Sequence, residues 1–186
     1  FAMHHARKQK LSRIFYFLPF TSIIEQNAEE VRKYLDQNAE ASEIVLEHHC
    51  NLLPERKNEE CYKKISENFD APIVYTTLVQ FLNTIFTNDS RANRKLHRFA
   101  NAVLIFDEIQ SLPVPMLHIF NAALEYLTQI CGSTIVLSSA TQPQLDRVPR
   151  EFGALQLSTP SELVVDPAEE FRQLKRVSVE YVEGFA

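Results

Sequence analysis

The stretch AVLIFDEIQSLP, from Ala102 to Pro113, decides the fold class, because a solid apolar run is followed at once by two acids. An apolar run without alternation, such as Ala102–Phe106, is typical of a strand that is covered on both faces of a parallel sheet. Ligands of open α/β sheets bind beyond the carboxyl ends of the strands. Asp107 and Glu108 are therefore predicted to lie at a ligand-binding edge.

Similar runs recur along the chain and alternate with apolar stripes at helical spacing. The predicted strands are Arg13–Phe20, Ser42–His49, Ala71–Thr77, Asn101–Glu108, Ser133–Thr141 and a short one at Ala154–Leu157. Strand and helix in alternation predict right-handed crossovers and a doubly wound α/β parallel sheet with helices on both faces. We expect this domain over residues 1–157 and an exit segment or linker, rich in Pro and Glu, over 158–186.

The bulk composition limits the possible classes of protein. A chain of 186 residues with 45% hydrophobic and 23% charged residues is long enough for one domain with a sizeable core. Its net charge of −5 gives no overall attraction to nucleic acid, so such binding would depend on local groups. No apolar run is long enough to span a membrane. Three cysteines without a C-x-x-C pair indicate a reducing compartment, and we expect a cytoplasmic protein.

The acid pair after the buried strand suits phosphoryl transfer. An Asp at this position can hold Mg²⁺ through waters, and a neighbouring Glu can orient or deprotonate the attacking water. The alternative is an acid pair that is favourable at a helix start. The stretch STIVLSSATQP adds a second buried strand that ends in the hydroxyls of Ser138, Ser139 and Thr141. These hydroxyls could hydrogen-bond the acids of the adjacent strand, or they could make local turns.

Several stretches carry a resemblance to a known family. DEIQ followed by SSAT resembles motifs II and III of superfamily 2 helicases. The segments FLPFTSIIEQNAEEVRKYL, EHHCNL, APIVYTTLVQFLNTIF and RKLHRFANAVLIFDEIQSLP are similar to the helicase part of the CRISPR-associated helicase–nucleases of type I interference, from about Phe1 to Glu183. The resemblance implies a first RecA-like lobe. In it, Asp107 would hold magnesium, Glu108 would activate water, Gln110 would couple nucleotide to DNA, and Ser139 and Thr141 would form the coupling motif.

Two further motifs would contact nucleic acid if the resemblance holds. The residues that match motif Ia are Pro19, Phe20, Thr21, Ser22 and Gln26, and those that match motif Ib are Thr76, Thr77 and Gln80. Hydroxyls and free N–H groups at the start of a helix suit a phosphate. They equally suit plain helix capping, and the sequence leaves both interpretations open.

The resemblance also implies parts that this sequence does not contain. The Walker A loop, the second RecA-like lobe and the HD nuclease domain of the family are absent, so we expect a lobe truncated at its N-terminal P-loop unit. The implied cofactors of the intact protein are ATP and Mg²⁺, and the implied partners are single-stranded DNA and a guide-RNA surveillance complex. We expect the chain alone to be inactive. The alternatives are a non-catalytic scaffold derived from a motor lobe, which binds nucleic acid or protein, and another superfamily 2 helicase.

Overall fold

The computed structural model describes residues 1–35, 44–48, 68–87, 90–139, 145, 154–155, 162–164 and 166–177. The chain forms two compact units, Phe1–Leu155 and Gln156–Ala186. The predicted boundary after residue 157 lies outside the described residues and stays a prediction.

Among the described residues of the first unit, five strands form one parallel sheet. They are β1 (Arg13–Leu18), β2 (Val45–His48), β3 (Ile73–Thr77), β4 (Ala102–Phe106) and β5 (Thr134–Leu137). Their order is β2-β3-β1-β4-β5, and all four neighbouring pairs are parallel. The solid apolar runs thus predicted the parallel sheet correctly.

The predicted sixth strand is wrong where it can be compared with the structure. Ala154 and Leu155 are not in a strand, and the other two residues of that prediction lie outside the described residues. A four-residue apolar run is too short for its pattern to distinguish a strand from irregular chain.

Helices connect the strands and cover the sheet. They are α1 (Ala2–Gln9), α2 (Thr21–Leu35), α3 (Leu78–Phe86), α4 (Ser90–Leu96), α5 (Leu117–Gln129) and, in the second unit, α6 (Pro167–Leu174). Short 3₁₀ turns occupy His97–Phe99, Ile109–Ser111 and Val114–Met116. The start of α6 is capped by Asp166, whose side chain accepts the Glu169 N–H at 3.0 Å.

The two faces of the sheet bury two separate hydrophobic clusters, because successive side chains of a strand point to opposite faces. One face packs against α3 and α5 through a group of phenylalanine rings: Phe15, Phe17, Phe81, Phe99, Phe106 and Phe120. The other face packs against α1 and α2, chiefly through Ala6, Ile24 and Ala28. Helices therefore cover both faces, as the sequence predicted.

A buried ion pair fixes α2 against the sheet. The guanidinium of Arg32 donates both to the carboxylate of Glu47 and, at 2.9 Å, to the carbonyl of Val45 in β2. Glu47 is almost fully buried. A pair of this kind is costly to break, since removing one partner leaves a buried charge uncompensated. It thereby helps to hold α2, whose first turn lies at the carboxyl edge of the sheet.

We predict that Phe99→Ala lowers the free energy of unfolding by about 3–5 kcal/mol, because it opens a cavity in the phenylalanine cluster. The Phe99 ring is fully buried and lies 4.9 Å from the ring of Phe15 and 5.4 Å from that of Phe81, between centroids. Urea unfolding of the purified chain measures the effect. The control is Phe20→Ala, whose ring is 63% exposed and whose loss should change stability by less than about 0.5 kcal/mol. Equal losses in both variants would contradict this description of the core.

Candidate active site

The two acids lie at the carboxyl end of β4. The N–H of Asp107 donates to the carbonyl of Phe17 at 3.0 Å, which continues the pairing of β4 with β1 by one residue. Glu108 then adopts a left-handed conformation with φ 52°. For a residue other than glycine this costs about 1–2 kcal/mol. The turn directs the N–H of Glu108 back to the Oδ1 atom of Asp107, at 3.0 Å.

The second carboxylate oxygen of Asp107 accepts a hydrogen bond that the sequence did not reveal. The hydroxyl of Tyr16, in the middle of β1, donates to Oδ2 at 3.1 Å. Burial, together with the negative charge of Asp107, raises the pKa of Tyr16 to about 12. The phenol therefore stays protonated and remains a donor over the physiological range. This contact between Tyr16 and Asp107 follows from the register of β1 and β4, which cannot be determined from a single sequence.

A chain of side chains connects β4 to β5. The amide of Gln110 donates to the carboxylate of Glu108, and its carbonyl oxygen accepts from the hydroxyl of Ser139 at 2.5 Å. The main chain runs alongside: Ser138 donates to the carbonyl of Phe106 at 2.8 Å and accepts from Ile109 at 3.2 Å. The predicted proximity of the hydroxyls after β5 to the acids is thus observed for Ser139, with Gln110 between them.

The coupling motif is described only in part. Ser139 is half-buried, whereas Thr141 lies outside the described residues. The roles assigned to Ser139 and Thr141 by the resemblance stay predictions.

The motif Ia residues follow β1, which is the neighbour of β4. Phe20 is 63% exposed, and Thr21 is the first residue of α2. Ser22 and Gln26 are both exposed and lie four residues apart, so they share one face of the helix. Pro19 is half-buried between strand and helix. These five residues therefore form a surface at the same edge of the sheet as the acids.

The hydroxyls of the motif Ib threonines make their hydrogen bonds inside the protein. The Thr76 side chain is fully buried and donates to the carbonyl of His48 at 2.8 Å. Thr77 is also buried, and its hydroxyl caps α3 by accepting the N–H of Gln80 at 3.2 Å. The capping interpretation therefore describes Thr77, and the hydroxyl of Thr76 is turned away from solvent. The half-buried side chain of Gln80 is the part of this motif that is accessible.

Among the described residues, Asp107 would hold a divalent metal together with ligands that these residues do not supply. In the part of the chain that the structure describes, no three His, Cys, Asp or Glu side chains form a metal-binding group. Asp107 would have to share the ion with waters and with phosphate oxygens, which is how Mg²⁺ is usually bound beside a nucleotide. Each Asp107 oxygen accepts one hydrogen bond from the protein, and a carboxylate oxygen has a second lone pair for such a ligand.

A family model for the DEAD/DEAH box helicases matches residues 1–148. The chain belongs to the DEAD/DEAH box helicase family. Such helicases are ATPases, so membership makes ATP a ligand of this kind of domain. Separately, no helix among the described residues has the length and apolar character that crossing a membrane requires.

The DEAD/DEAH box helicase chain is also similar to Cas3 proteins. It is 28% identical over 148 residues to the CRISPR-associated nuclease/helicase Cas3 of Haloferax volcanii, a match that covers 72% of this chain and 16% of that protein. The chain thus spans about one sixth of the length of this curated relative.

Solved Cas3 structures share the fold of the helicase chain. T. fusca Cas3 with ATP superposes with a TM-score of 0.63 at 19% identity, over 77% of this chain and 17% of that one. A second structure of T. fusca Cas3 gives a TM-score of 0.57 at 21% identity, over 71% of this chain and 16% of that one. The predicted RecA-like α/β fold is therefore confirmed.

We predict that Tyr16, through its burial and its proximity to the charge of Asp107, makes stability depend on pH in the alkaline range. The folded state raises the pKa of Tyr16 from 10.0 to about 12. The contribution of Tyr16 to the free energy of unfolding is therefore complete below pH 10 and is lost as the pH rises toward 12. The unfolding free energy of Tyr16→Phe should therefore fall less steeply over this range than that of the wild type. Urea titrations at several pH values measure both slopes. Identical slopes would contradict the assignment.

Proposed function

We propose that the chain is part of an ATP-dependent helicase or translocase that moves along single-stranded DNA. The observation that carries this proposal is the side-chain path from Glu108 through Gln110 to Ser139, beside the fixed carboxylate of Asp107. It joins the ends of two parallel strands at the edge where such sheets bind ligands. Family membership, through the match over residues 1–148, supports the use of ATP.

The acids would divide the chemistry between them. Asp107 would hold Mg²⁺ through water next to the β- and γ-phosphates, because its carboxylate is half-buried and held by two donors. Glu108 is exposed and would orient the attacking water or accept its proton. The metal, when bound, would neutralise charge that develops on the phosphate oxygens.

Gln110 and Ser139 would couple the nucleotide to the rest of the protein. Gln110 contacts Glu108 with one end of its amide and Ser139 with the other. A movement of Glu108 toward the attacking water would therefore disturb the contact at the end of β5. Thr141 would extend the same path, by the family resemblance.

The surface after β1 would bind the DNA backbone. Thr21 and Ser22 lie in the first turn of the fifteen-residue helix α2, where free N–H groups favour phosphate. Pro19, Phe20 and Gln26 would complete this contact, with Gln80 from the start of α3. The buried hydroxyls of Thr76 and Thr77 would act by shaping the edge rather than by touching DNA.

The similarity to Cas3 supports a more specific task for the intact protein. A second RecA-like lobe would close over ATP, and the motor would feed single-stranded DNA to an HD nuclease domain of the same protein. A guide-RNA surveillance complex would recruit it in cytoplasmic CRISPR antiviral defence. The word nuclease in the name of the Haloferax volcanii relative is consistent with this arrangement.

We predict that Glu108→Gln, introduced into the intact protein, lowers kcat for DNA-stimulated ATP hydrolysis by about a hundredfold or more, because a positioned base contributes about 10²–10⁴-fold. The affinity for ATP should stay close to that of the wild type. Steady-state phosphate release and nucleotide binding measure the two quantities. Glu29→Gln is the control, since Glu29 is an exposed acid on α2 whose carboxylate pairs with the Lys33 ammonium at 3.2 Å. Full turnover in Glu108→Gln would contradict the catalytic role of Glu108, whereas an absence of turnover in the intact wild-type protein would favour a non-catalytic scaffold.

We predict that the 186-residue chain alone binds ATP poorly and shows no ATP turnover, since it carries no G-x-x-x-x-G-K-[ST] loop. Phosphate release with Mg²⁺, with and without single-stranded DNA, measures this. Magnesium-dependent turnover that disappears in Asp107→Ala would contradict the prediction.

A further inference from the structure

We infer that Tyr16 is a positioning residue for the metal-holding carboxylate: its hydroxyl, with the N–H of Glu108, fixes the plane of the Asp107 carboxylate for the magnesium–nucleotide complex. The inference rests on the proposed function, because it needs Asp107 to hold Mg²⁺. It adds a residue from β1 that no helicase motif in this sequence includes.

The register of the sheet explains why this tyrosine reaches this aspartate. Tyr16 pairs with Ile105 of β4, and Asp107 lies two residues beyond Ile105 on the same face. Two residues of parallel strand advance about 6.6 Å along the strand. A tyrosine side chain that leans along the strand covers that distance, whereas a serine or threonine would not. The observed contact is 3.1 Å from the hydroxyl oxygen to Oδ2.

The tyrosine ring is itself held in place. It stacks on the ring of Tyr75, its register partner in β3, with centroids 5.3 Å apart and planes 23° from parallel. Tyr16 and Tyr75 belong to the face that packs against α1 and α2. The hydroxyl therefore sits on a side chain that has little freedom to turn away.

The two donors restrain different atoms of one carboxylate. Tyr16 donates to Oδ2 and Glu108 donates to Oδ1, so rotation of the Asp107 side chain would break both bonds. With one lone pair of each oxygen engaged, the remaining lone pairs point in fixed directions. Groups that orient a metal-binding side chain in this way typically contribute about 10–100-fold to metal affinity or activity.

The test compares Tyr16→Phe with Tyr75→Phe in the intact protein. Both changes remove one hydroxyl and keep the ring, but only Tyr16 donates to Asp107. Two quantities are measured: the affinity for Mn²⁺ of the intact protein with a non-hydrolysable ATP analogue, followed by electron paramagnetic resonance of the free ion, and the Mg²⁺ concentration that gives half-maximal DNA-stimulated ATP hydrolysis. We expect the Mn²⁺ dissociation constant and this Mg²⁺ concentration to rise about tenfold in Tyr16→Phe and to change by less than about twofold in Tyr75→Phe. Thermal unfolding of the intact protein with each change checks that both variants fold.

The outcomes separate this inference from the proposed function. Asp107→Asn, measured alongside, should abolish turnover at every Mg²⁺ concentration. If turnover needs Asp107 but the magnesium curve of Tyr16→Phe coincides with that of the wild type, the positioning role is wrong and the function stands. If Asp107→Asn retains turnover, the metal role of Asp107 is wrong, and the role of Tyr16 is wrong with it. Equal shifts in Tyr16→Phe and Tyr75→Phe would indicate a packing effect and would also overturn the inference.

Discussion

The parallel pairing of β1 with β4 brings the acids and the residues around them to one edge of the sheet. Because both strands run in the same direction, their carboxyl ends meet at one edge of the sheet. The pairing continues one residue past β4, where the N–H of Asp107 donates to Phe17. It sets the register that joins Tyr16 to Asp107. The acids, the tyrosine and the first turn of α2 come together for this one reason.

The two faces of the sheet have different tasks. The face with the phenylalanine cluster anchors β4 from one side through Leu104 and Phe106. The opposite face is apolar in its centre but carries Tyr16 and then Asp107 toward the carboxyl edge. A carboxylate at the end of a buried strand is thus rigidly supported yet close to solvent. Such a position combines fixed geometry with access for a hydrated ion and a phosphate.

The edge also links several elements that a moving protein would have to coordinate. Glu108 is joined through Gln110 to the end of β5. The ion pair of Arg32 and Glu47 ties α2 to β2 at the other side of the sheet. A conformational change at Asp107 and Glu108 would therefore affect β5 first, whereas the ion pair would keep α2 fixed to β2. Under the proposed function, β5 would respond to the nucleotide and α2 would present a surface to DNA.

The sequence alone predicts the sheet and the position of the acids, because both follow from local patterns. A solid apolar run gives a buried parallel strand, and the residue after it must lie at the edge of the sheet. The partner of Asp107 could not be predicted, since the contact with Tyr16 depends on a register between strands about ninety residues apart along the chain. The roles of Thr76 and Thr77 could not be predicted for a different reason. From the sequence, their hydroxyls are equally suited to bind phosphate or to cap a helix. Burial decides between these two roles, and burial depends on the tertiary structure.

The central claim, that Asp107 holds the metal ion of a bound nucleotide, is tested most directly by locating the ion. Crystals of the intact protein with a non-hydrolysable ATP analogue and Mn²⁺ in place of Mg²⁺ would show the metal by its anomalous scattering. We expect a manganese peak beside the Asp107 carboxylate, in contact with it directly or through one water, with Tyr16 still donating to Oδ2. A manganese ion bound to the phosphates with Asp107 turned away from it would contradict the account.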